Sequence, residues 1–165
     1  MIELDGQYFL YYSTRDPEMR VQMTGVAAAP LGSAFTRDDW VQLCDKPIMY
    51  PELAWEGECI EASALCRYQG RLYMFYGGAY NNTPQQIGCA VSDDGLNWRR
   101  VSDTPLLPNG GSGEWNSSES GHPFVFKNSD GVYHLFFQGN NDHGKTWYLS
   151  RREITWKDGA PHVDG

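Results

Sequence analysis

Hydrophobic positions along this chain fall in short alternating runs, each entered through a glycine turn. Three of the runs are copies of one another. They are Asp5-Gly6-Gln7-Tyr8-Phe9-Leu10-Tyr11-Tyr12-Ser13, Gln69-Gly70-Arg71-Leu72-Tyr73-Met74-Phe75-Tyr76-Gly77-Gly78 and Asp130-Gly131-Val132-Tyr133-His134-Leu135-Phe136-Phe137-Gln138-Gly139. The shared glycines lie 64 and then 61 residues apart. Alternation with period 2 and rich in aromatics predicts strands, and no segment carries a helix-length apolar stripe at 3.6-residue spacing.

Each copy has further parts. Residues 61–67 and 121–127 read as strands leading into the glycine hairpin. A third strand is predicted over 21–29, 87–92 and 146–151. A short fourth begins at a tryptophan: Trp40, Trp98 and, in the last copy, Trp156. Four antiparallel strands repeated at a long period predict an all-β fold of β-propeller blades, in units of about 1–50, 51–108 and 109–165 forming a single partial domain. A sandwich is the rival, and the self-similar period favours the propeller. The first unit keeps only Met1-Ile2-Glu3-Leu4 of its opening strand. A closed ring needs at least about 4 blades. Roughly three are expected here, so the ring must be completed by self-association or by blades of a longer chain.

Composition agrees with that reading. Of 165 residues, 14% are aromatic and 18 are glycine, suited to pleated surfaces and tight turns. The net charge of −8 argues against a nucleic-acid partner. No apolar run reaches transmembrane length, and Glu3 and Asp5 stand where a signal peptide would be basic and then apolar. A soluble chain with no membrane partner is expected, and the compartment stays open. Cys44, Cys59, Cys66 and Cys89 form no C-x-x-C pair, and Cys66 and Cys89 are expected to be buried thiols.

From Glu61 onward the sequence resembles a known family. Glu61-Ala62-Ser63-Ala64-Leu65-Cys66-Arg67-Tyr68-Gln69-Gly70-Arg71-Leu72-Tyr73-Met74-Phe75-Tyr76 is similar to the general-acid blade of glycoside hydrolase family 43 and its five-bladed relatives in families 32 and 68. Gly121-His122-Pro123 resembles the glycine–histidine pair of that family's next blade, and Ala90 to Trp98 its outer hairpin. The resemblance implies a glycosidase acting on an oligosaccharide or polysaccharide, with Glu61 as general acid in an inverting hydrolysis. It also implies two Asp residues, a base and a residue tuning the acid, which by blade order would fall before Met1; the resemblance then gives this chain only the acid, with the base missing or supplied by another copy.

Glycoside hydrolysis needs two carboxyl groups flanking the bond. Glu119, near the start of the next inner strand, is the candidate second catalytic carboxylate, with a loop residue as the alternative. Glu56 and Glu58 precede Glu61 and could bind hydroxyls or repel its charge, and a solvated loop is the ordinary reading. Glu58, His122, Trp55 and Trp115 are candidate substrate-binding residues, because sugars present flat apolar faces to aromatics and hydroxyls to polar groups. Structural roles are the alternative for each.

Other motifs point elsewhere. Arg15-Asp16-Pro17 looks like the Arg-Asp-Pro motif of fructan hydrolases, but it follows a strand instead of opening one and reads as a turn. Ser92-Asp93-Asp94-Gly95-Leu96-Asn97-Trp98 approaches a sialidase Asp-box one residue short. Gly110-Gly111-Ser112-Gly113 has no following Lys and no helix to make a phosphate loop. Asn140 to Lys145 reads as a turn that could also take sugar or calcium. No cofactor is expected beyond a central calcium ion, which His122 could help to hold. The alternatives to an enzyme are a non-catalytic carbohydrate-binding module and an assembly propeller.

Overall fold

In the computed structural model, which describes residues 1–164, the chain forms three four-stranded antiparallel sheets. The first contains β1 (Ile2–Leu4), β2 (Gln7–Arg15), β3 (Gln22–Pro30) and β4 (Val41–Gln42). The second contains β5 (Ile60–Tyr68), β6 (Arg71–Gly78), β7 (Gln86–Ser92) and β8 (Arg99–Arg100). The third contains β9 (Glu119–Lys127), β10 (Tyr133–Asn140), β11 (Tyr148–Lys157) and β12 (Ala160–Val163). Each sheet is a meander in chain order, and each is one blade. The third predicted unit ended at Gly165, outside the described residues.

Turn chemistry sets these meanders. Asp5-Gly6, Gln69-Gly70 and Asp158-Gly159 each supply two successive residues of positive φ, as a two-residue hairpin of the primed type requires. The last of these corrects the expectation for Trp156. That residue lies in β11, and the Asp158-Gly159 turn places the fourth strand after it. The Trp156 indole stacks on Tyr68 of the second blade at 3.9 Å between ring centroids.

Burial follows the blade order. Leu4, Phe9, Tyr11 and Val26 of the first blade meet Leu72, Met74 and Tyr76 of the second. Tyr73, Phe75, Ile87 and Cys89 on its other face meet Tyr133, Leu135 and Phe137 of the third. So β6 is buried on both faces from Leu72 to Gly78, whereas β10 alternates between buried and half-buried positions until its last two residues. A strand between two sheets becomes continuously apolar, and one with a single covered face alternates. Cys59, Cys66 and Cys89 are buried and Cys44 is half-buried, all four with free thiols.

The outer hairpin of the second blade locks it to the first. Asp94 accepts hydrogen bonds from the Asn97 backbone and side chain, the Leu96 backbone and the Ser92 hydroxyl. Those bonds hold its carboxyl far below the usual carboxylate range. The Gly95 carbonyl then accepts from both Trp98 Nε1 and the Tyr11 hydroxyl of the neighbouring blade.

Candidate active site

The inner strands of the second and third blades carry the same irregularity. In β5, Glu61 pairs with Gly77 and Ala64 with Phe75, leaving Ala62 and Ser63 opposite one residue. In β9, Gly121 pairs with Gln138 and Phe124 with Phe136, leaving His122 and Pro123 opposite Phe137. Ala62 and His122 both take left-handed backbone, at φ +55° and +49°. A bulge of this kind re-aims the side chains around it. Here it gathers groups from three blades at one end of the inner strands.

Glu61 is at the centre of that group. Its Oε2 accepts from Gln22 Nε2 at the start of β3, and its Oε1 accepts from Gln85 Nε2, just before β7, at 2.7 Å. His122 Nε2 of the third blade lies 3.6 Å from Oε1. The Glu61 side chain is 18% exposed and the imidazole 39%, so both can be reached from solvent. Arg15 donates through Nε to Gln22 Oε1, which ties a guanidinium to Glu61 through one amide.

Glu119 joins the cluster from beneath. It is wholly buried, and its Oε2 accepts from the Asn82 N–H at 2.7 Å and its Oε1 from Gln138 Nε2 at 3.3 Å. Burial raises its carboxyl above the ordinary 4.5, and the charge of Glu61 adds to that against the pull of Asn82, Gln138 and His122. His122 Nδ1 lies 2.6 Å from Gln138 Nε2 and 3.9 Å from Glu119 Oε1. An amide N–H can only donate, so Nδ1 accepts and the ring proton sits on Nε2, facing Glu61.

Glu61, Glu119 and His122 are therefore brought together, but Glu119 stands behind the imidazole and not at the surface. Trp55 is on the other face of the second blade. Its indole covers Gly78 and Gly88, stacks with Tyr76 and donates Nε1 to the Asp103 carbonyl. Glu58 is exposed, and with Trp55 and Tyr80 it lines a recess of about 300 Å³. Trp115 packs on Phe137 and Tyr148 over Gly139, and its free edge borders a cleft of about 540 Å³ between blades.

The solvated-loop reading of Glu56 is overturned. Glu56 is wholly buried and ion-paired with Arg100 at 2.7 Å, and it accepts from Tyr76 Oη and the Glu52 and Leu53 N–H groups. Burial works to raise its carboxyl, but Arg100 and these donors bring it below the ordinary value. Asp16 accepts from the Arg20 and Val21 N–H groups, which makes Arg15-Asp16-Pro17 a capped turn. Asp142 accepts from the Lys145 and Thr146 N–H groups in its loop. Among the described residues, no three His, Cys, Asp or Glu side chains converge as a metal-ligand set.

Sequence reasoning passed over Gln22, Gln85 and Gln138. Neutral amides form no recognised motif. The one available signal was Gly77 and Gly121, glycines inside strands where a neighbouring group needs the space.

No family model matches the sequence. Among characterised proteins, a 1,2-β-oligomannan phosphorylase of Thermoanaerobacter sp. (strain X514) is 28% identical over 130 residues, covering 70% of this chain and 43% of that one. A β-1,2-mannobiose phosphorylase of the same strain is 27% identical over 139 residues, covering 75% and 44%. The chain thus spans less than half the length of the curated relatives it matches. A thermostable family-43 glycoside hydrolase superposes with a TM-score of 0.76 at 21% identity, over 100% of this chain and 56% of that one. The fold is that of the propeller glycoside hydrolases.

Proposed function

We propose that this chain supplies the proton-donating part of a carbohydrate-cleaving site, with Glu61 as the acid that protonates the leaving glycosidic oxygen. One observation carries the reading. Glu61 is solvent-accessible, yet it is held by amides from two blades and faced by the imidazole of a third. A proton donor must be both reachable and fixed in direction. Glu119, buried behind His122, holds the Gln138 amide that bonds that ring, and it does not touch substrate. The base of an inverting displacement then comes from outside these residues, in line with a chain that spans only part of its relatives.

A second reading differs only in the attacking group. The relatives in sequence are phosphorylases, and in phosphorolysis inorganic phosphate takes the place of water. Arg15, linked to Glu61 through Gln22, is the cation nearest in bonding to receive an anion.

The test uses the full-length protein and an oligosaccharide panel, with and without phosphate. Glu61→Gln is expected to lower turnover by about 10²- to 10⁴-fold while thermal unfolding is unchanged. A sugar 1-phosphate formed only with phosphate present selects the second reading. Wild-type turnover in the Gln variant rules Glu61 out as the acid. Glycan binding without turnover leaves a binding module.

A further inference from the structure

Glu61 and Gly121 hold the same station in their blades, each immediately before the left-handed bulge residue. Their cross-strand partners are exchanged. In the second blade the pair is Glu61 with Gly77, and in the third it is Gly121 with Gln138. Each pair has one functional side chain and one glycine. The space left by the two glycines is filled by a single residue, Gln85. A Cβ on Gly77 would lie 2.9 Å from Gln85 Cδ, and a Cβ on Gly121 would collide with Gln85 Oε1. Neither glycine has positive φ, so it is space and not backbone freedom that requires them.

Gln85 is wholly buried, and both ends of its amide are used. Nε2 donates to Glu61 Oε1 at 2.7 Å and to the Ala79 carbonyl at 2.9 Å, while Oε1 accepts from the His122 N–H at 3.2 Å. The Gln85 carbonyl accepts from the Ser120 N–H at 3.0 Å. Turning the amide over would set its oxygen against two acceptors and its nitrogen against a donor, so its orientation is fixed. This one side chain bonds the carboxylate of the second blade and the bulge of the third.

We infer that Gln85 is the positioning residue of the site. It sets the direction of the Glu61 carboxylate and couples it to His122, so that two blades present one rigid constellation to a sugar. The inference rests on Glu61 being the substrate-facing group, and its structural half stands apart from that reading. A wholly buried amide whose two N–H donors are both spent cannot reach substrate, so its effect must pass through the groups it holds.

Isotope-labelled wild type, Gln85→Met and Gln85→Glu separate the two. In Gln85→Met, the Glu61 carboxyl carbon and the His122 amide should shift, while the mid-strand amides of Met74 and Leu135 stay in place. Gln85→Glu keeps an acceptor for His122 but sets a carboxylate against Glu61. Its oligosaccharide affinity should be at least about tenfold weaker at neutral pH and recover as acid returns a donor proton to residue 85. Unmoved signals at Glu61 and His122 overturn the inference. So does a change spread evenly over all three blades, which marks a plug and not a clamp. If the wild type binds no oligosaccharide, the proposed function falls, and the spectra still decide the role of Gln85.

Discussion

Ala62 and His122 occupy one place in two blades: each is the left-handed residue that opens a two-residue bulge in an inner strand. Only His122 carries a functional group, but the backbone it uses is present in both. The repeat therefore supplies the geometry, and one blade places Glu61 just ahead of it.

The bulge can be tested at its silent copy. Ala62→Val puts a β-branched side chain at φ +55° and should destabilise by about 1–2 kcal/mol, measured by urea unfolding. Ala62→Gly should cost nothing comparable, since glycine accepts positive φ freely. Equal stability of the Val and Gly proteins would show that the left-handed backbone is not retained.

Glu56→Gln removes the anion from a buried pair and leaves Arg100, 15% exposed, with only the exposed Glu52 as a charged partner. Breaking such pairs costs about 3–5 kcal/mol, and the remaining Glu52 contact places this one near 3 kcal/mol. Chemical denaturation reads the loss directly. A change under about 1 kcal/mol would mean that water reaches the Arg100 guanidinium.

Glu119 gives the protein a pH dependence of defined sign. Its folded carboxyl binds a proton more tightly than the unfolded one, whose ordinary value is 4.5. The resulting stabilisation is complete below that value and is lost as pH rises through the higher folded one. Stability of wild type relative to Glu119→Gln should fall from about pH 4.5 upward and then level off. A difference constant from pH 4 to 7 would contradict the burial that raises this carboxyl.

The thiols should sort by environment. Burial pushes Cys59 and Cys66 up to about 12 and Cys89 well above the ordinary 9.0. An alkylating reagent at neutral pH acts on the thiolate and should label Cys44 first in the native protein, with the other three following only on unfolding. Peptide mass mapping over time distinguishes this order from uniform labelling.

The blade pattern was readable because Gly6, Gly70 and Gly131 mark one hairpin in three copies. The bulges were not. Each is a single extra residue near the start of its strand, ahead of the apolar run that carries the strand pattern, so the sequence around Ala62 and His122 looks like uninterrupted strand. Trp156 was misplaced because its copy of the fourth strand was sought at a tryptophan, when Asp158-Gly159 held the turn signal. The packing of Trp55 was not readable, because nothing local shows that Gly78 and Gly88, over 20 residues away, clear a bed for its indole. Glu61, Glu119 and His122 were visible as chemistry. The amides that join them were not, since their roles come from pairing across blades.

The continuous burial of β6 also bears on how the chain folds. Leu72-Tyr73-Met74-Phe75-Tyr76 has no charge, no proline and strong β-propensity, the composition of segments that associate between molecules. On the ribosome, this stretch emerges before the blade that will cover its second face. One side stays wet until roughly another sixty residues are translated, guarded at its entrance by Arg71 paired with Asp93. An uncovered apolar strand of this kind is where partly made chains can associate, so the interval before the third blade arrives is the exposed stage of folding.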